Sequence, residues 1–258
     1  MIETAIITLN WKANELTRKA IESLKDNIYE YDKIWLIIVD QEVDETAEDW
    51  KKSYGKYFGR VDVICNKENL GVPKAYNQGI KLAMEVKPKY IIIMNNDIEF
   101  LPNCFEELKR CAEKDSKIGI VGGKALKYGE NPERPKHFGM IIFKNGTIIG
   151  KEIEVPIGAP DCNIDVDTYC VGFACALIKT EVLKDIGLFD ENYSPCDYED
   201  TDLCFAARAK GWKVISCVPA KYYHLEGGTF KKHNLYMQLK SIFDRNRKYF
   251  AKKWEKML

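Results

Sequence analysis

Residues 90–100 read YIIIMNNDIEF, five apolar residues that run straight into Asn95-Asn96-Asp97. A short, continuous apolar run suits a strand buried on both faces, and its abrupt polar ending suits the carboxyl end of such a strand, where open α/β sheets bind ligands. Working outward, the same pattern recurs at Thr4–Leu9, Ile34–Val39 and Val61–Cys65, and again at Ile118–Val121. Between these runs the apolar spacing turns helical, over about Ala13–Lys25, Glu45–Tyr57, Pro73–Val86 and Pro102–Lys114. Pro73 and Pro102 both suit a first helical turn, where no backbone donor is needed. Buried strands alternating with helices define an α/β chain with a parallel central sheet.

Past Lys124 the alternation stops. HFGMIIFKNGTIIG, 137–150, reads as a β-hairpin turning at Asn145-Gly146, a pair that tolerates the positive φ of a tight turn. A loop over Glu154–Asp165 follows, then a strand at Thr168–Lys179, a helix at Asp200–Lys210 stopped by Gly211, and a strand at Lys213–Tyr223. His233–Lys256 reads as a long basic-aromatic helix, packed on the core with its basic face in water. A second reading of that helix is peripheral contact with an anionic membrane surface. No repeat or linker divides the chain, so one domain is expected over 1–258: a nucleotide-binding half at 1–123, an acceptor-side catalytic half at 124–232, and the C-terminal helix at 233–258.

Composition excludes several classes of function. The 258 residues are 46% hydrophobic, enough for a large core. Lysine plus arginine equals aspartate plus glutamate at 39 each, which removes the positive field that nucleic-acid binders use. MIETAIITLNW is acidic where a secretory signal is basic, and no apolar run approaches a membrane span, so a cytoplasmic protein is expected. Nine scattered cysteines without a CxxC pair read as reduced, mostly buried thiols, Cys196 among them as a packing residue.

The strand ends carry the candidate chemistry: Thr8 and Asn10, Asp40, Asn66 followed by ENLG, and Asn95-Asn96-Asp97. Asp97 lies ahead of the helix signalled by Pro102 and is read as exposed, a carboxylate suited to sharing Mg²⁺ or Mn²⁺ with substrate phosphates. In SPCDYEDTDLCFAARAKGW, Asp197, Glu199, Asp200 and Asp202 crowd one helix start. An acidic first turn complements the helix dipole, which accounts for one or two of them; four repel one another and point to a site. His224 closes the last strand beside Glu226-Gly227-Gly228-Thr229.

Taken in order, AIITLNW, VD, ENLGVPKAYNQGI, IIIMNNDIEF, VGFACALIKTEVLKDIGLFDENY, YEDTDLCFAARAKGWKV and YYHLEGGT resemble the family 2 glycosyltransferases of the GT-A fold, in particular the small inverting enzymes of the rhamnosyltransferase type. The resemblance implies a Rossmann-like, mainly parallel sheet flanked by helices, a nucleotide-sugar donor, a saccharide or lipid-linked acceptor, and a divalent metal, Mn²⁺ or Mg²⁺. It places Thr8 and Asn10 along the nucleotide base and Asp40 on the base or ribose. Asn69, Gly71 and Asn77 match a motif flanking the nucleotide, and Lys74 falls near the diphosphate. Asn95-Asn96-Asp97 takes the DxD position, with Asp97 the metal ligand and His224 completing that site. Asp200 is implied as the catalytic base, Glu199 as a hydrogen-bonding partner for sugar hydroxyls, and Asp202 as a support of the helix start. Rival readings are a sugar nucleotidyltransferase, which would carry a basic Gly-rich loop where this chain has LNWKANEL, and a pseudoenzyme that binds without turnover.

Overall fold

The computed structural model describes residues 1–42, 46–128, 136–142, 144–154, 165–225 and 236–258. Four strands, β1 (Thr4–Trp11), β2 (Ile34–Gln41), β3 (Arg60–Asn66) and β4 (Tyr90–Met94), lie parallel in the order β3-β2-β1-β4. β1 pairs with β2 on one side and β4 on the other, so the strand order reverses there and a crevice opens beyond their carboxyl ends.

Side-chain alternation along these strands explains why both faces are apolar. Ile6, Leu36, Ile38 and Ile92 pack against α1 (Asn14–Lys25), α2 (Ala47–Tyr54) and α4 (Cys104–Glu113) through Ile21, Trp50 and Leu108. Ala5, Ile7, Ile37, Val39 and Ile93 face the opposite layer, where α3 (Val72–Met84), α5 (Thr180–Ile186) and α6 (Glu199–Ala209) supply Ile80, Leu183 and Leu203. α2 begins with a capping box between Thr46 and Asp49, while α3 begins at Gly71 with proline in its first turn, as expected from Pro73.

The second half departs from a purely parallel sheet. β10 (Cys175–Lys179) runs antiparallel between β4 and β6 (Ile118–Leu126), and β11 (Lys213–His224) continues parallel to β6. β5 (Ile98–Phe100) crosses to pair antiparallel with Tyr222–His224, and β9 (Val166–Asp167) pairs with β11. Three residues of alternation are too short to stand out in sequence, so β5 went unforeseen.

Three expectations need correcting. The strand expected over Thr168–Lys179 is confined to Cys175–Lys179 within the sheet, because 170–174 leaves it to form a wall of the cleft described below. Pro102 precedes its helix; α4 starts at Cys104, after Leu101 has been tied to the Lys221 carbonyl. Asp97 is buried at 8% exposure, because β5 folds the chain directly back under β11.

The expected hairpin forms from β7 (Lys136–Ile142) and β8 (Ile148–Glu154), but its last pair is Ile142 with Ile148, so the connection that contains Asn145-Gly146 is longer than a two-residue turn; Gly146 has φ 78°. The expected loop falls outside the described residues over 155–164, and so do positions 233–235 of the expected C-terminal helix. That helix, α7 (Tyr236–Lys253), buries Phe250 in a third apolar cluster with Tyr193, Tyr198 and Phe205. Among the described residues no helix is long and apolar enough to cross a membrane.

Candidate active site

A cavity of about 350 Å³ opens at the carboxyl end of β4, between the start of α6 and the end of β11. Asn95, Asp197, Glu199, Asp200 and His224 supply its polar lining, with Tyr76, Phe173, Phe189 and Tyr222 as aromatic walls. Phe189 holds the wall together, packing against Tyr76 at 5.9 Å and edge-on to Phe173 at 5.8 Å between ring centroids.

The cleft joins segments far apart in the chain. His224 Nε2 lies 3.2 Å from Asp97 Oδ1, which couples the end of β11 to the Asn95-Asn96-Asp97 turn. On the other side, Asp200 accepts from its neighbour Thr201 N at 2.6 Å and from Phe173 N at 3.3 Å, which aims the carboxylate into the cavity. Burial raises the Asp200 carboxyl above the usual range, and those two backbone donors pull the other way. Glu199 is raised further, by burial and then by the charge of Asp200, and its Oε2 is buried with no hydrogen-bond partner among the described residues.

That raised carboxyl predicts a stability effect. Folding favours protonated Glu199, so its contribution is present at low pH and is lost as pH rises from the ordinary glutamate value of 4.5 through the higher folded value. Glu199→Gln removes the cost of burying a group that ionises in the unfolded chain, so the variant should melt above the wild type at pH 7, with the difference shrinking toward pH 5. Equal melting temperatures at both values would refute the assignment.

The other expected residues fall into two groups. Asn96 donates to Thr17 Oγ1, Thr17 donates to Asn10 Oδ1, and Asn10 donates to Asp40 Oδ1 at 2.8 Å. Trp50 Nε1 also reaches Asp40 at 3.3 Å. This network ties three strand ends together, and Thr8, Asn10 and Asp40 are all fully buried instead of lining the cleft. The second group surrounds the start of α3. Asn69 Oδ1 accepts from Gly71 N, Lys74 is exposed, and Asn77 clamps the backbone of Phe189 through both amide atoms while donating to Glu191.

Gly71 is required by geometry. Its φ is 83° and ψ 165°, a region open essentially to glycine alone, and an added Cβ would lie 2.8 Å from Pro195 Cα. Gly71→Ala should therefore cost about 1–3 kcal/mol in urea unfolding. An unchanged midpoint would show that the close approach to Pro195 is not needed.

Asp202 corrects the reading of the acidic cluster. It does not support the start of α6; it is buried and accepts from Tyr193 Oη, Lys253 Nζ and Trp254 Nε1 at 2.8–3.0 Å, anchoring the end of α7. Cys196 does line the cleft, and burial pushes its thiol well up, which leaves it a poor nucleophile. Sequence reasoning missed Tyr76, whose hydroxyl reaches the Met94 carbonyl and Asn95; inside a helix, no local signal sets it apart from a core aromatic.

A second cluster of metal-ligand type lies away from the cleft, where Cys111, Asp165 and Cys217 bring their ligand atoms within 4.8 Å of one another. Lys114 and Arg110 already neutralise Asp165, at 2.6 and 3.4 Å, which removes the negative charge that would attract a cation.

This sheet order, with a carboxylate turn after β4 and an acidic helix start across the cleft, defines a GT-A fold. Solved structures share it. GalNAc-T7 with UDP, GalNAc and Mn²⁺ superposes with a TM-score of 0.69 at 14% identity over 88% of this chain and 45% of that one. The mannosyltransferase PcManGT from Pyrobaculum calidifontis, in complex with GDP-Man and Mn²⁺, gives 0.62 at 14% identity over 86% of this chain and 56% of that one. The sequence profile of glycosyl transferase family 2 matches residues 5–187, and the chain belongs to that family.

The dTDP-rhamnosyl transferase RfbF of Shigella flexneri is 27% identical over 229 residues, covering 88% of this chain and 69% of its own. The uncharacterized protein y4gI of Sinorhizobium fredii (strain NBRC 101917 / NGR234) is 24% identical over 247 residues, 92% of this chain. The O-antigen biosynthesis protein RfbC of Myxococcus xanthus is 26% identical over 154 residues, 57% of this chain. The chain spans only 26% of y4gI and 12% of RfbC.

Proposed function

We propose that this chain transfers a sugar from a nucleoside-diphosphate donor to a hydroxyl group of a glycan, polysaccharide or lipid-linked saccharide, inverting the anomeric centre, with Asp200 as the base. The observation that carries this reading is the cleft itself: Asp200 and Glu199 line one side of the cavity that receives His224, and His224 is joined to Asp97.

The cleft also argues for a metal. Among the described residues its lining includes three carboxylates and no lysine or arginine, so a diphosphate entering it needs a counter-charge those residues do not supply. Asp97 and His224 offer an oxygen and an imidazole nitrogen side by side, a donor set that suits Mn²⁺ or Mg²⁺ completed by phosphate oxygens. A divalent cation bound there would neutralise charge on the departing diphosphate.

The remaining steps belong to side chains. Asp200 takes the proton of the acceptor hydroxyl as its oxygen attacks, and a carboxyl raised by burial is a better base than an ordinary one. Glu199, held protonated, orients a sugar hydroxyl. Direct attack opposite the leaving group inverts the centre, by analogy with inverting glycosidases. Asn95 and Asn96 flank the diphosphate and Asn69, Gly71 and Lys74 the nucleotide's other side, while the buried Thr8, Asn10 and Asp40 act on the base and ribose side from behind, through the strand ends, and Asn77 acts through its clamp on Phe189. The exposed Phe243 and the basic face of α7 would bring the protein to an anionic membrane where lipid-linked acceptors reside.

A thermal-shift screen of UDP-, dTDP- and GDP-sugars with and without Mn²⁺ tests the reading, since ligand bound to the folded state raises its stability by mass action. One nucleotide class should raise the melting temperature only with the metal. No shift with any of them would sink the proposal.

A further inference from the structure

The segment 193–197, which delivers the acidic helix start to the cleft, has every carbonyl held from outside. Asn246, on α7 and 1% exposed, places its amide nitrogen 2.9 Å from the Tyr193 carbonyl, 2.7 Å from Cys196 and 2.8 Å from Asp197. Its neighbour Arg245 donates to the Ser194 carbonyl and, at 2.9–3.0 Å, to Asn246 Oδ1, which fixes the amide's orientation. Val72 N takes the Pro195 carbonyl at 2.6 Å, directly after Gly71.

The conformation held this way is one the chain would not keep alone. Asp197 and Tyr198 both sit at φ 74°, a left-handed region costly for non-glycine residues and tolerated where the surroundings over-determine it. Tyr198 is pinned further, by its hydroxyl on the Gly146 carbonyl at 2.9 Å and its ring against Phe243 and Phe250. The very next residues are Glu199 and Asp200. A buried amide with two hydrogens serving three carbonyls is therefore well placed to set where the base stands.

We infer that Asn246, oriented by Arg245, is a positioning residue for Asp200, so that α7 is part of the catalytic apparatus and not only a cover for the core. The inference rests on the transferase reading of the cleft. It predicts that loosening α7's grip moves the base relative to the acceptor while leaving the nucleotide side, at the Asn95-Asn96-Asp97 turn, undisturbed.

The test uses the full chain with dTDP-rhamnose and Mn²⁺, chosen because a relative bears the name dTDP-rhamnosyl transferase. It reads three quantities: release of dTDP as the rhamnosyl group passes to water standing in for the acceptor hydroxyl, Mn²⁺-dependent binding of dTDP, and hydrogen exchange of the amides between 193 and 202. Asn246→Ala should lower dTDP release about 100-fold, the cost of a small displacement of reacting groups. Its dTDP binding should stay unchanged and exchange should rise within 193–202. Because Asn246 is buried, the exposed Arg245 gives a gentler second variant: Arg245→Ala should show the same split more weakly, and Arg245→Lys should recover part of it. Lys252→Ala, an exposed change on the same helix, should match the wild type. Wild-type exchange at 193–202 in both Asn246→Ala and Arg245→Ala would overturn the inference. If the wild type releases no dTDP, the fault lies with the donor or with the transferase reading, and the exchange measurement still decides the role of Asn246.

Discussion

Asp200→Asn should abolish all but about a thousandth of the transfer activity while leaving nucleotide binding intact, a loss within the range general-base catalysis supplies. Both carboxylate oxygens of Asp200 accept from backbone donors, Thr201 N and Phe173 N, so the amide keeps the size, gives up the longer of those two bonds and can no longer take a proton. Steady-state turnover and Mn²⁺-dependent binding of the same nucleotide separate the two effects. A pH profile adds a second check. The base acts only when ionised, and burial raises its carboxyl, so the acidic limb of kcat/KM in the wild type should lie above the usual aspartate range and should vanish in the variant's residual activity. Wild-type turnover by Asp200→Asn would defeat the assignment.

The second large effect falls on the opposite wall. Asp97→Ala removes the one carboxylate of the Asn95-Asn96-Asp97 turn and leaves His224 Nε2 without the partner 3.2 Å away. Mn²⁺-dependent nucleotide binding should weaken at least about 100-fold, in line with losses seen when groups supporting a metal are removed. At a nucleotide concentration a hundred times the wild-type Kd, binding stabilises the wild type by about 2.7 kcal/mol. That is a rise of roughly 5–10 °C for a chain near this size. The variant, with its affinity cut a hundredfold, should show a rise of about 1 °C under the same conditions. Since the unliganded Asp97→Ala protein supplies its own baseline, a change in intrinsic stability does not confuse the reading. An undiminished metal-dependent rise would remove Asp97 from the metal site.

Much of the fold was legible because buried parallel strands leave a strong local mark. Thr4–Leu9, Ile34–Val39 and Tyr90–Met94 are short runs without a charged residue, built around Ile, Val and Leu, and each is a strand covered by helices on both faces. The strand around residue 175 was less clear, because the apolar residues 170–174 wall a cavity instead of pairing in the sheet, and apolar composition alone does not separate the two roles. The candidate site was legible in part for a related reason. Asp97, Glu199, Asp200 and His224 belong to short motifs at element ends, whereas Tyr76, Phe173 and Phe189 look like any core aromatic until the chain folds.

Asp202 and Asn246 show where local signals stop. Asp202 is one of four neighbouring acids, and its partners Lys253 and Trp254 lie 51 and 52 residues away; Asn246 sits in a basic helix, and the carbonyls it holds lie 49 to 53 residues away.

The amino-acid sequence by itself determined the alternation of buried strands with amphipathic helices and the concentration of polar groups at strand ends, since both follow from periodicity within a few residues. Tertiary structure alone decided which acids face the cavity and which brace α7. A helix start sends successive side chains in different directions, and only the packing of β11, α7 and the cleft wall around α6 determines what each direction meets.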